Sequence, residues 1–310
     1  MIEHTPRVSF GVPVRNGEDC LPKCLDSLLA QDFSDFEIIV SDNASTDSTP
    51  ELLEQYAAKD DRIRLALGDE NVGIIENFNK LTRLARGEYF RWVGSDDWLE
   101  PSYASKCVAA LDADRAAIVA TSYFTLHFDS GEVAAERYAG ELPDSEQAAR
   151  RLARMLWFFG AGPAVYDPNY SMIRREVLQQ IGGLQIHPSN DWVLAAELSL
   201  RGRMIQVPEM LFHREFPLGG DRYDEGFRRR LHPTLWNELL PSLRKLIASL
   251  FAAVDRAGVG GIEALRCYVS ILGFAAHEAR RRTANRLRHF RRDRLGLTRE
   301  SLGIGREGPA

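Results

Sequence analysis

The chain reads as an α/β protein built on a mainly parallel sheet flanked by helices, and three observations predict this. Short apolar segments alternate with amphipathic helical segments four times within the first 110 residues. Each apolar run ends in a short polar loop, as in parallel sheets whose strands are buried on both faces. The 310 residues are 45% hydrophobic and 27% charged, which supplies one large core with an appendage.

The first strand spans 7–14, and Pro13 marks its carboxyl end because proline has no ladder donor. Asn16-Gly17 breaks it. Over 18–31, Leu21, Cys24, Leu25, Leu28 and Leu29 recur at helical spacing, and Pro22 suits a first helical turn. The second strand, 36–40, runs into Ser41-Asp42-Asn43-Ala44-Ser45-Thr46-Asp47. Residues of this kind bond their own backbone and cap the next helix, here 48–59. A third strand over 62–67 and a third helix over 73–85 lead to a fourth strand from Tyr89. That strand stops at Gly94-Ser95-Asp96-Asp97, with Pro101 placed to begin another helix. Open α/β sheets bind their ligands beyond the carboxyl ends of the strands. Two adjacent carboxylates there either offer hard oxygens to Mg²⁺ or Mn²⁺ or cap the next helix. No Gly-x-Gly-x-x-Gly and no Walker motif follows the first strand, so a dinucleotide or P-loop site is not indicated.

Beyond a strand at 116–120 the pattern loosens. Residues 124–143 read as an irregular excursion around Gly131 and Gly140, and 145–159 as an amphipathic helix. Loop signals at 160–163 and 167–170 precede the stretch Pro188-Ser189-Asn190-Asp191-Trp192, which is followed by a helix through Leu200 and Gly202 and by the segments 204–209 and 211–214. From Tyr223 the chain reads as helical: Leu231, Leu235, Leu239, Leu243 and Leu246 form one face, and a last helix starts near Ile262. The division expected is 1–222, itself split at 115/116, and a helical region 223–310.

The net charge of −5 hides an asymmetry: residues 277–310 carry ten Arg against four acidic residues, a net of +6, so residues 1–276 carry −11. Such an Arg-rich segment lies on an anionic membrane surface, pairs in a homodimer, or forms a solvated face. Nucleic acid is not expected, because Phe290 alone interleaves the arginines. Cys20, Cys24, Cys107 and Cys267 have no metal-type spacing and fit a reduced, cytoplasmic setting. The amino terminus lacks the basic start and apolar run of a signal peptide.

The motifs, taken in order, are specific as a set. Phe10-Gly11-Val12-Pro13-Val14-Arg15-Asn16-Gly17, Asp26-Ser27-Leu28-Leu29-Ala30-Gln31-Asp32-Phe33, Ser41 to Asp47, Glu70-Asn71-Val72-Gly73 with Asn77-Phe78-Asn79, and Ala85-Arg86-Gly87-Glu88-Tyr89 resemble the opening of the family 2 inverting glycosyltransferases. The resemblance runs from about Val8 to Pro101 and implies the A-type glycosyltransferase fold, with 1–115 holding a nucleotide-sugar and 116–222 the acceptor. It further implies a sugar transfer from a nucleoside-diphosphate sugar, UDP-sugar by family habit, to a hydroxyl of a saccharide or lipid-linked acceptor in cell-surface polysaccharide or glycolipid synthesis.

Position by position, the resemblance assigns Pro13, Val14, Arg15 and Asp42 to the nucleotide, where a carboxylate accepts from uracil or ribose; an Asx-turn is the plain alternative for Asp42. Asn71 and Asn77 fall where the family lines the nucleotide pocket, or cap a helix. Gly94-Ser95-Asp96 aligns with the Asp-x-Asp motif, Gly94 standing in place of its first Asp; Ser95 joins the nucleotide residues. Asp96 is the expected ligand for Mn²⁺ or Mg²⁺, with Asp97 as a second ligand or its neighbour. Asn190-Asp191 resembles a Glu-Asp motif, which makes Asp191 the expected general base or, in the plain alternative, a helix-start carboxylate. His213 is the candidate third metal ligand. Asp221 and Arg222 belong to a loop expected to close over the diphosphate. Trp157, Tyr166 and Tyr170 either stack on a sugar face or pack in the core. The departures at Gly94 and Asn190 keep a catalytically inactive nucleotide-sugar-binding protein as the competing reading.

Overall fold

A computed structural model describes residues 4–161, 166–187, 189–216 and 243–295. The expected loop at Asp221 and Arg222 and the leucines at 231, 235 and 239 lie outside the described residues.

The first half is parallel, as expected. β1 (Val8–Val14), α1 (Leu21–Leu29), β2 (Phe36–Asp42), α2 (Thr49–Ala57), β3 (Ile63–Leu65), α3 (Ile74–Leu84) and β4 (Tyr89–Trp92) alternate, and β1 lies between β2 and β4. Every residue of β1, β2 and β4 is buried, which is why these strands show apolar runs rather than alternation. Pro13 is tolerated in a central strand because β4 pairs only as far as Gly11, so the missing N–H falls past its end.

The second half is more ordered than its sequence suggests. After β5 (Trp98–Leu99) and α4 (Tyr103–Ala113), β6 (Ala117–Phe128) runs well beyond the expected strand and turns into β7 (Val133–Glu136). The expected excursion is therefore largely a hairpin, closed at Gly131, whose φ of +81° suits glycine. α5 (Ala148–Ala161), β8 (Met172–Arg174), α6 (Arg175–Ile181) and α7 (Asn190–Arg201) follow, then β9 (Arg203–Phe216). The two apolar segments around Pro208 are one strand. Ser122 pairs with Val207 but Tyr123 with Met210, so Pro208 sits in a bulge where no ladder donor is needed. The path of the sheet is β3-β2-β1-β4-β8-β6-β9-β5, with β8 antiparallel to both neighbours and β5 antiparallel to β9.

The sheet separates two apolar clusters. One joins Phe10, Val12, Ile38 and Val40 to Leu25 and Leu28 of α1 and Tyr103, Cys107 and Leu111 of α4. The other joins Phe90, Trp92 and Leu81 to Met155 of α5 and Leu198 of α7. The carboxyl-terminal helices α8 (Leu243–Arg256) and α9 (Gly261–Leu295) add Leu250, Val254, Cys267, Ile271 and Phe274 to this second cluster. The described part of that region is thus packed onto α5 and α7. All four cysteines are free, and Cys24, Cys107 and Cys267 are buried as small apolar residues.

A buried carboxylate fastens α7 to α8. Glu197 is fully buried and receives the guanidinium groups of Arg201 and Arg256. Removing one partner of such a group leaves buried charge uncompensated. Because Arg256 is partly in solvent, Glu197→Ala is expected to cost about 2–3 kcal/mol, below the fully buried range. A shifted urea midpoint at unchanged slope checks this.

Candidate active site

The carboxyl ends of β1, β2 and β4 bring three loops together. Register places Val14 beside Asp42, and the Asn43 amide donates to the Val14 carbonyl at 2.9 Å. Asn16, at φ 54°, locks the loops: its amide donates to Ser45 Oγ at 2.8 Å and its Oδ1 accepts from the Thr46 amide at 2.8 Å. Pro13 and Val14 are buried beneath this clasp and Arg15 is exposed above it. Asp42 is 3% exposed and forms the Asx-turn, its carboxylate accepting from the Ser45 amide at 3.0 Å and from the Ser45 hydroxyl. A carboxylate has further lone pairs, so capacity remains for a ligand donor.

Asn71 and Asn77 have structural duties. Asn71 Oδ1 accepts from the Gly73 amide at 3.0 Å, at the start of α3, and from Asn43 Nδ2 at 2.9 Å. Asn77 is buried; its Oδ1 accepts from Ser41 Oγ at 2.7 Å and its Nδ2 donates to the Ser41 carbonyl at 3.0 Å. Both hold the end of β2 and thereby the position of Asp42.

The acidic pair lies in the turn after β4, where the Asp97 amide donates to the Gly94 carbonyl at 3.0 Å. Ser95 and Asp96 are half-buried and Asp97 is buried. Both carboxylates fold over Gly94: a Cβ there would lie 2.7 Å from Asp97 Oδ2 and 3.0 Å from Asp96 Oδ1. Glycine at this position is therefore matched to the packing of the two acids. Hard, converging carboxylate oxygens fit Mg²⁺ or Mn²⁺ when substrate oxygens complete the shell. Among the described residues, no group of three or more His, Cys, Asp or Glu gathers as a metal cage.

His213 is engaged elsewhere. It pairs with Trp98 across β5 and β9 and stacks on that ring, centroids 5.0 Å apart. Its Nε2 is 2.8 Å from Glu100 Oε1 and its Nδ1 is 3.2 Å from His127 Nε2, so both ring nitrogens have protein partners. The structure brings Asp96 and Asp97 together and leaves the expected third ligand apart from them.

The second centre forms at the start of α7. Asp191 stands in its first turn, where the helix amides favour the carboxylate, yet burial wins and lifts its pKa to about 6, the Asp167 carboxylate adding to the shift. The residue keeps exposed surface and lines a recess together with Phe158, Phe159, Tyr166 and Trp192. Asp167 in turn binds Arg214 at 2.9 Å, and Arg214 lies 4.6 Å from the centre of the Tyr170 ring. Burial lowers the Arg214 pKa, but Asp167 and Asp97 together drive it above the ordinary value. Arg214 thus links the field of the acidic pair to that of Asp191. Sequence reasoning passed over Arg214, Asp167 and Asn169; Arg214 stands in the polar run His213-Arg214-Glu215 and carries no signal of its own.

Of the aromatic candidates, Tyr166 stacks on Phe158 at 4.6 Å, Tyr170 packs edge-on to Phe78, and Trp157 is 49% exposed. A separate recess of about 460 Å³ lies at the opposite, amino-terminal ends of the strands, among Arg7, Asp35, Glu88 and Arg174. Arg7 there is paired with Glu88 and Asp112, and Arg174 with Glu88, which leaves little free charge for a ligand.

Residues 9–182 match the family model described as Glycosyl transferase family 2, which covers more than half of the chain. The chain belongs to this family. The match runs from β1 to the residue after α6 and stops short of Asp191 and His213. EpsH of Bacillus subtilis (strain 168) is 35% identical over 128 residues, 41% of this chain and 37% of that protein, so the match spans well under half of the relative. The crystal structure of S. aureus TarS 1-349 in complex with UDP superposes with a TM-score of 0.63 at 18% identity, covering 86% of this chain and 70% of that one. The mannosyltransferase PcManGT of Pyrobaculum calidifontis, in complex with GDP-Man and Mn²⁺, gives 0.55 at 19% identity, covering 91% and 76%. The fold is the A-type glycosyltransferase fold of this family, and no helix among the described residues is long and apolar enough to cross a membrane.

Proposed function

We propose that this family 2 member is an inverting glycosyltransferase that moves a sugar from a nucleoside-diphosphate sugar, with UDP-sugar as donor, to a hydroxyl acceptor. The observation that carries the reading is two acidic centres that share the field of one ion pair: Asp96-Asp97 beyond β4, and Asp191 with its carboxyl lifted to about 6, both influenced by the Arg214–Asp167 pair. Inversion needs a single base on the acceptor side, and a base works best when its pKa lies near the working pH. Asp191 takes the proton of the attacking hydroxyl beside the aromatic residues of its recess.

On the donor side, Asp42 accepts from base or ribose, while Pro13, Val14, Arg15 and Ser95 line the nucleotide. Asn71 and Asn77 hold that pocket in shape. Asp96 and Asp97 would hold Mn²⁺ or Mg²⁺, which offsets the charge of the departing diphosphate. We assign His213 to the support of β5 behind the acidic pair rather than to the ion itself. TarS in complex with UDP supports a uridine donor and PcManGT with Mn²⁺ supports a divalent ion. The acceptor is a saccharide or a lipid-linked saccharide, the latter met at an anionic membrane through the basic segment 277–310.

Calorimetric titration with UDP, GDP and dTDP, each with and without Mn²⁺, tests the donor side. Binding of UDP that requires Mn²⁺ is the expected result. Failure of all three nucleotides to bind overturns the transferase reading and leaves the inactive-binder reading without support as well.

A further inference from the structure

The acceptor side contains a buried polar atom that no protein group satisfies. Asn169 lies on the loop between α5 and β8, at the rim of the recess that holds Asp191. Its backbone amide donates to Asp167 Oδ1 at 3.0 Å, and its Nδ2 donates to the Asp191 backbone carbonyl at 3.1 Å. That second bond fixes the amide orientation, since the reverse would set two oxygens against each other. Its Oδ1 is buried and has no hydrogen-bond partner.

The loop is built to keep it there. Asp167 binds Arg214 through one carboxylate oxygen and the Asn169 amide through the other, and Ser171 Oγ donates to the Asp167 carbonyl at 2.9 Å. The backbone amide and Nδ2 of Asn169 are both engaged, and the loop is braced at Asp167 and Ser171. Buried acceptors in folded proteins are nearly always paired, so one left open beside a candidate base points to a missing donor.

We propose that Asn169 recognises the acceptor: its side-chain carbonyl accepts a hydrogen bond from a hydroxyl next to the one that Asp191 activates, so the acceptor is a vicinal diol of a saccharide rather than a lone alcohol. The inference rests on the transferase reading above. It rests on the hydrogen bond from Asn169 to the backbone of Asp191, which holds the two residues side by side at the recess. Phe158, Phe159 and Trp192 supply apolar walls for the carbon face of that ring. A recess lined only by aromatics would bind a lone alcohol as well; the open carbonyl distinguishes the diol.

The test uses the full chain with UDP-glucose, UDP-GlcNAc and GDP-mannose as donors and p-nitrophenyl glycosides as acceptors, alongside each donor's hydrolysis without acceptor. In Asn169→Ala the KM for the glycoside is expected to rise about tenfold, the size of one lost hydrogen bond, while donor hydrolysis stays within about twofold. A deoxy glycoside lacking the neighbouring hydroxyl should show the same loss with the unaltered protein and no further loss with Asn169→Ala. Equal penalties from the deoxy change in both proteins overturn the proposal, as does an unchanged glycoside KM. Asn169→Ser, a smaller side chain that keeps an acceptor oxygen, guards against misfolding: recovery of part of the affinity is expected, and a protein folded by circular dichroism with no recovery counts against the proposal. Donor hydrolysis without transfer to any glycoside rejects the saccharide acceptor alone, whereas neither donor binding nor hydrolysis rejects the transferase reading itself.

Discussion

Asp191→Asn is expected to bind donor nucleotide as the unaltered protein does and to lose sugar transfer by roughly 100- to 10,000-fold, the range that one general base contributes. The side chain keeps its shape and loses only its ability to take a proton. In the unaltered protein, kcat/KM should fall about tenfold per pH unit below about 6, because the base must be ionised to act and burial holds its pKa there. The Asn variant should lack that limb. Stability gives an independent check with its own sign. The folded-state pKa is raised above the ordinary carboxylate value of 3.8, so between those values the native protein holds more protons than the unfolded chain. Stability contributed by protonated Asp191 is therefore present at low pH and lost as pH rises through about 6. Above that pH, Asp191→Asn should be the more stable protein, with a higher urea midpoint at pH 7.5 than the parent. A variant that transfers sugar at the parental rate removes Asp191 from the mechanism, whatever its stability.

The first half of the chain was legible because its signals are local. Buried parallel strands and their crossover helices write themselves into runs and periods of a few residues, and the loops after β1, β2 and β4 carry turn formers at fixed places. Pro13, which a simple rule excludes from a central strand, is explained by where the pairing with β4 stops. The second half was less legible because it is assembled by distant pairs. β5 and β8 have two and three residues and exist through their partners β9, β4 and β6. Arg214 and Asp167 stand 47 residues apart, in segments without a shared motif. His213 was expected near the acidic pair from the order of motifs, but strand register decides its neighbours, and register set it against Trp98, Glu100 and His127. Asn169 carried no signal at all: a loop asparagine is ordinary, and only the pairing of its amide group makes the free oxygen visible.

Gly94→Asp, which restores the first carboxylate of the motif this turn resembles, is expected to weaken Mn²⁺-dependent nucleotide binding by tenfold or more. Intuition from charge alone gives the opposite sign, since a third acid should draw a cation more strongly. Geometry decides against it. A Cβ at 94 sits 2.7 Å from Asp97 Oδ2 and 3.0 Å from Asp96 Oδ1, so the buried Asp97 carboxylate must shift, and that of Asp96 give by a few tenths of an ångström, before the new acid can be placed. Asp97 is buried and its amide is tied to the Gly94 carbonyl, which leaves it little room. A third negative group at that distance also raises the repulsion the site must overcome when empty. Gly94→Ala separates the two contributions, because it adds the Cβ without the charge; it should retain most of the loss if packing dominates. Asp96→Asn sets the scale: it keeps the packing, removes one ligand charge, and should abolish the part of UDP binding that depends on Mn²⁺. Calorimetry of the three variants with UDP, at matched Mn²⁺ and in its absence, orders them. Tighter binding in Gly94→Asp than in the parent means that the acids do not fold over Gly94 when nucleotide is bound, and the ion then has a different set of ligands from Asp96 and Asp97.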